Sequence, residues 1–176
     1  MAALDIIDPM IRGGAIALFA LWIAILVRDH RAVLSARVAI AMNVAIIAYL
    51  LARLFRPHGA ALFPYVLSDA LSVMVPALCW LFARLWFDDR QRIGRRSWLL
   101  VLAFGALPLI QVALIAATGR FSWEIWGVVR IGMFAFAVAG MWIAWRGRAN
   151  DLIEARRGFR LGVVGAIGGF ILLVTF

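Results

Sequence analysis

The chain has 176 residues, 66% of them hydrophobic and 15% charged, with a net charge of +9 and a mean hydropathy of +0.99. A soluble domain is nearer half apolar and about a quarter charged, so this much apolar side chain excludes a single water-bathed core and requires lipid as the solvent for much of it. All 18 basic residues are arginine, and they stand between apolar runs instead of along one face, which predicts no direct nucleic-acid binding by these residues.

The opening "MAALDIIDPMIRGG" places Asp5 and Asp8 before any basic residue, and "LVRDHR" follows the first apolar run where a secretory leader would carry a small-residue cleavage site. The first run therefore reads as a retained helix. In chain order the apolar segments are Ile11–Val27, Val38–Leu51, Leu67–Phe87, Trp98–Ala117, Ile125–Trp145 and Leu161–Phe176. The second is short unless "LARLF" is added to it, and the sixth is marginal in length against the roughly 20 residues that cross a bilayer as a helix. No strand-like alternation between hairpin turns occurs, which excludes a transmembrane barrel. The expected fold is all-α: a polytopic transmembrane helix bundle of six apolar segments, forming one membrane-embedded domain over residues 1–176.

Arginine placement predicts its orientation. Arg28, Arg31 and Arg37 lie between segments one and two; Arg84, Arg90, Arg92, Arg95 and Arg96 between three and four; Arg146, Arg148, Arg156, Arg157 and Arg160 between five and six. The opposite side has Arg12, Arg53, Arg56 and Arg120, and Arg130 lies within segment five. By the positive-inside rule the three Arg-rich loops are cytoplasmic and the amino terminus is outside. Trp80, Trp86 and Trp98 then sit at the inner interface as an aromatic belt, and the stem of Arg84 can snorkel to the headgroups.

At the same residues, "LSVMVPALCWLFARLWFDDRQRIGRRSW" resembles the membrane portion of AraC-type transcriptional regulators that carry an amino-terminal multi-helix membrane domain. The match to the family's P-x-L-x-W-L-F-A-x-x-x-F-D-D segment falls on Pro76, Leu78, Trp80, Leu81, Phe82, Ala83, Phe87, Asp88 and Asp89. A second stretch, "DLIEARRGFRLGVVGAIGGF", is similar to the family's D-L-V-E-x-R-R-x-x-R run and matches at Asp151, Leu152, Glu154, Arg156, Arg157 and Arg160, with Ile153 where the family often has Val. The resemblance implies a sensor or input domain in the bacterial cytoplasmic (inner) membrane. In the family a cytoplasmic helix-turn-helix domain follows. Six crossings from an outside amino terminus leave the carboxyl end outside, so the expectation is a truncated input region, needing a seventh helix before such a domain, or a shortened relative. Asp88, Asp89, Arg92, Arg95, Glu154, Arg156 and Arg157 are the candidate cytoplasmic relay.

Ionisable groups at membrane depth are costly unless paired, which makes each a functional candidate. Asp69 in segment three, Gln111 in segment four and Arg130 in segment five all fall in the outer half of the bilayer at 1.5 Å per residue. With Ser68 and Ser72 beside them they can form one polar site, open to a small-molecule or lipid ligand. The alternative is a structural ion pair between Asp69 and Arg130, with Gln111 as a helix–helix hydrogen bond. Asn43 reads as interhelical glue, Glu124 as a solvated interface residue and Cys79 as a packed thiol. Pro64, Pro76 and Pro108 permit kinks, and one near Pro76 is either a static bend or a hinge that carries a signal to the "FDDRQRIGRR" loop. Gly165 and Gly169 have small-xxx-small spacing, which fits packing within one chain and a homodimer equally.

His30 and His58 belong to opposite faces, so no metal is expected. No nucleophile elbow, phosphate-cradling loop or other cofactor motif occurs, and the chain is not expected to be an enzyme. The adjacent carboxylates Asp88 and Asp89 have no second acidic motif to build metal chemistry with. Two functions are left: a signal-input domain of a transcriptional regulator, and a small polytopic transporter or accessory membrane subunit. The second is weakened by the lack of a match between the two halves of the chain, since many transporters are built from inverted repeats.

Overall fold

Long runs of Ala, Leu, Ile and Val without polar alternation leave the backbone to satisfy its own N–H and C=O groups, which in a helix it does within each segment. The computed structural model describes residues 2–52, 62–87, 93–146, 162 and 165; within these, the side chains of 2–6, 52, 62–66 and 69 are outside the description. Among the described residues 92% are helical and none is in a strand. Six helices follow in order: α1 Ala2–His30, α2 Leu34–Ala52, α3 Leu62–Val73, α4 Val75–Phe87, α5 Arg95–Thr118 and α6 Trp123–Arg146. Five stretches are long and apolar enough to cross a membrane: Ile7–His30, Leu34–Leu51, Ala70–Phe87, Arg95–Thr118 and Trp123–Arg146. These correspond to the first five apolar segments of the sequence. The sixth lies outside the described residues apart from the helical backbone of Gly162 and Gly165.

The second span gains length at its front, from Leu34 to Arg37; of the "LARLF" stretch, Leu51 and Ala52 are in the helix and the rest lies outside the described residues. The chain turns between α1 and α2 over residues 31–33. There Val33 N–H donates to the His30 carbonyl (3.0 Å), Arg37 N–H to the Val33 carbonyl (3.1 Å), and the Arg37 guanidinium to the Arg31 carbonyl (2.8 Å). A connection this short makes α1 and α2 an antiparallel hairpin. The third span is two helices. Pro76 has no N–H to give the Ser72 carbonyl, and its ring crowds that carbonyl, so the ladder stops and Met74 forms a turn between α3 and α4. Leu78 N–H picks the ladder up again at the Met74 carbonyl (2.9 Å). Pro108, by contrast, sits inside an unbroken α5.

The chain forms two compact units, Met1–Ser72 and Val73–Phe176. In the first, α1 packs against α2. Only 6% of the α1 span is buried, with Leu18 (69% exposed) and Leu21 facing outward. In the second unit α4 packs most extensively on α6, and α5 joins both. α4 is apolar around most of its circumference, as expected of a helix surrounded by others: Ala77, Leu81, Ala83 and Leu85 are fully buried. The α4–α6 contact uses small residues, with Ala83 and Phe87 meeting Ala144. Ala137 and Gly140 are also buried along α6. An aromatic chain ties all three helices, Trp80 to Phe136 (5.4 Å between centroids) and Phe136 to Phe104 (5.1 Å). Such pairs contribute about 0.5–1.5 kcal/mol each beyond area burial. The Phe104 ring lies directly over Gly132 of α6, where any Cβ would collide with it. Outward faces bear Leu99, Leu109, Ile131 and Trp142, all more than half exposed. Apolar surface on this scale suits hydrocarbon and not water.

Candidate functional site

The polar residues singled out from the sequence are distributed over both units. Ser68 and Ser72 are buried on α3 in the first unit. Asp69 lies between them on the same helix, and its side chain is outside the described residues. Gln111 and Arg130 belong to the second unit.

Gln111 is buried on α5 and its amide is paired at both ends. Its nitrogen donates to the Ser122 carbonyl (3.2 Å) and its oxygen accepts from the Ser122 N–H (3.0 Å), in the amide orientation that satisfies both groups. The side chain thus acts like a neighbouring peptide unit toward the turn between α5 and α6. The same turn is stitched at other points. Gly119, at φ 67°, closes α5 in the left-handed conformation and returns its N–H to the Ile115 carbonyl. Thr118 Oγ1 donates to the Leu114 carbonyl (2.7 Å) and accepts from Arg120 N–H (3.2 Å). Ser122 Oγ caps α6 by accepting from Ile125 N–H (3.3 Å), and it donates to Glu124 Oε2 (2.8 Å). Glu124 is exposed, as the sequence suggests for an interface residue.

Arg130 is exposed on α6, its guanidinium 5.4 Å from the ring centroid of Trp126 one turn earlier. Phe121 packs edge-on against both Trp123 (4.9 Å) and Trp126 (6.1 Å), which makes this end of α6 an aromatic cluster. Asn43 donates to the Ala39 carbonyl of its own helix (2.7 Å), the usual outlet for a short amide in a helix with a carbonyl four residues back.

At the opposite end of the second unit, Arg84 in the last turn of α4 donates to Ser97 Oγ of α5 (2.7 Å) and lies 5.3 Å from the centroid of Trp80. A cation at a helix C-terminus is favoured by the macrodipole, and the bond to buried Ser97 fastens the end of α4 to the start of α5. Of the candidate relay, Arg95 is exposed as the first residue of α5. Asp88, Asp89, Arg92, Glu154, Arg156 and Arg157 lie outside the described residues.

Arg12, which reads in sequence as a flanking charge, belongs to a charged pair within the first helix. The first span begins at Ile7, which places Asp8 and Arg12 inside it. Arg12 Nε donates to Asp8 Oδ2 (2.8 Å), and the Arg12 side chain is 16% exposed against 63% for Asp8. Tyr49 of α2 is within electrostatic range of the guanidinium. The signal was present as an i,i+4 Asp–Arg spacing in a helical run. Among the described residues no cluster of His, Cys, Asp and Glu is arranged to hold a metal ion. Compared with protein-family models, curated proteins and solved structures, the chain matches none.

Proposed function

We propose that this chain is the membrane-embedded input domain of an AraC-type transcriptional regulator, crossing a bacterial inner membrane six times from an outside amino terminus. The observation that carries this reading is the position of the Pro-Leu-Trp-Leu-Phe-Ala stretch. Its residues form α4, the helix against which α5 and α6 pack, and its last turn runs into the Arg-rich connection toward Ser97. A ligand or membrane state that favours one packing of α4 over another has, in that connection, a direct outlet to the cytoplasm. Binding biases such a switch only through different affinities for its two states. The ligand on this reading is a small molecule or a lipid, held near Ser68, Asp69 and Ser72 in the first unit or near Gln111 and Arg130 in the second, and DNA is contacted by a following domain and not by these helices. A homodimer through the glycines at 165 and 169 fits the same architecture.

A small transporter or accessory subunit is the second reading. It is favoured by the Asp8–Arg12 pair inside an apolar span, since intramembrane charges often mark a path for ions or solutes. Reading the gene past the codon for Phe176 separates the two. An open frame that encodes a seventh apolar helix and a basic helix-turn-helix region is the expected result. A stop codon directly after Phe176 overturns the regulator reading and moves the transporter to the front.

A further inference from the structure

The first turn of α5 contains two cations and no acidic residue, Arg95 and Arg96, both exposed and neither hydrogen-bonded nor ion-paired among the described residues. They face the positive end of the helix dipole, so the turn lacks the anionic compensation helices ordinarily carry there. Below Arg95 the exposed face of α5 is a continuous apolar stripe. Leu99, Leu102 and Leu109 follow at helical spacing, each more than half exposed. The opposite face, through Ser97, Val101 and Phe104, is buried. Arg84 holds this turn in place through Ser97 (2.7 Å), so the two arginines are presented from a fixed helix start.

We infer that Arg95, Arg96 and the Leu99–Leu102–Leu109 stripe form a docking surface for one anionic phospholipid, the two guanidiniums on its phosphodiester headgroup and an acyl chain along the stripe. The charges match in sign, and guanidinium is the side chain best shaped for a phosphate. The depth also matches, because the cations stand at the end of a span that starts at Arg95 and the leucines begin one turn further in. A zwitterionic lipid offers the same phosphate but no net charge, so the surface discriminates by headgroup charge. This surface is at the opposite end of α5 from Gln111 and stands whether or not the regulator reading holds.

The test uses the purified full chain in detergent micelles doped with equal amounts of phosphatidylglycerol and phosphatidylethanolamine, with retained lipid counted by native mass spectrometry. The wild-type chain should retain phosphatidylglycerol preferentially. The Arg95→Gln and Arg96→Gln variants keep the long polar stem at exposed positions, and each should lower that retention about fivefold, the effect of one basic residue at a charged membrane surface. Arg146→Gln, removing an exposed arginine from the last turn of α6, should leave it unchanged. Three results overturn the inference: equal retention of both lipids by wild type, no loss in the double Arg95→Gln/Arg96→Gln variant, or an equal loss with Arg146→Gln, which would mean general charge attraction. Displacement of phosphatidylglycerol by millimolar inorganic phosphate would also overturn it, assigning the arginines to a soluble anion.

Discussion

At the scale of single residues, the second unit is held by a few contacts whose removal has unequal costs. Gln111 satisfies both backbone groups of Ser122 from inside the helix pair. Gln111→Ala leaves the N–H and C=O of half-buried Ser122 without that partner, and the expected cost is about 1–3 kcal/mol for the two bonds, read as a lower thermal midpoint in detergent. Close approach gives a second contrast. A Cβ at Gly132 meets the ring of Phe104, which is itself buried and packed on Phe136. Gly132→Ala should therefore destabilise by about 1–3 kcal/mol, as overpacking does. A Cβ at Gly105 meets the thioether of Met74, a side chain with rotatable bonds to spare, so Gly105→Ala should cost clearly less in the same assay. These contacts were not legible in the sequence. Gln111 stood out there as a polar residue in an apolar run, but its partner is a backbone group in a turn, and no spacing of side chains reports on that.

At the scale of elements, apolar length and proline carried most of the information. Apolar length alone located the first five spans to within a few residues, because in hydrocarbon no other local structure satisfies the backbone. The division of the third span follows from Pro76, through one missing donor and one crowded carbonyl. Pro76→Ala restores that donor, so amide exchange from Met74 to Leu78 should slow by at least about tenfold, the equivalent of roughly 1.4 kcal/mol for recovery of a helical hydrogen bond and relief of the ring clash. Unchanged exchange there would mean that something other than proline ends α3. The start of α2 was harder to place. Ser35 and Arg37 dilute the apolar signal, yet helix forms there because the turn at residues 31–33 and the bond from Arg37 to the Arg31 carbonyl fix its first turn. Arg12 was misread for a related reason: helix α1 begins well before its apolar run, so a charge that looks like a flank is already within the helix.

For the molecule as a whole, the asymmetric distribution of arginine fixes the expected orientation. Alkaline phosphatase fused after residues 59 or 120 should be active, and green fluorescent protein fused after residues 33, 92 or 150 should fluoresce. The reverse pattern would invert the topology and place the Arg84–Ser97 fastening at the outer face. The same distribution separates the ends of the second unit by chemistry. One end has Arg84, Ser97 and the arginines of α5; the other has an aromatic cluster around Phe121 and Trp126 with Arg130 stacked on it. What composition, span length and charge asymmetry can convey is the class of molecule and an expected direction, which the fusions test. Which polar groups meet depends on how helices are rotated about their own axes, and uniformly apolar helices such as α2 and α6 give little signal for that rotation.

The turn between α5 and α6 has a consequence for how the protein is made. A connection that must be carried through a bilayer during synthesis is opposed by every bare peptide group and every net charge it contains. Over residues 118–125 the carbonyl and N–H of Ser122 are met by Gln111, the Ser122 hydroxyl meets Ile125 and Glu124, and the Thr118 hydroxyl meets Leu114 and Arg120. The charges of Arg120 and Glu124 cancel. On the orientation that the arginines predict, the tip carries two exposed charges of opposite sign, Arg120 and Glu124, and therefore no net charge, while its turn backbone at Ser122 is already paired; that combination suits α5 and α6 to cross as a single hairpin.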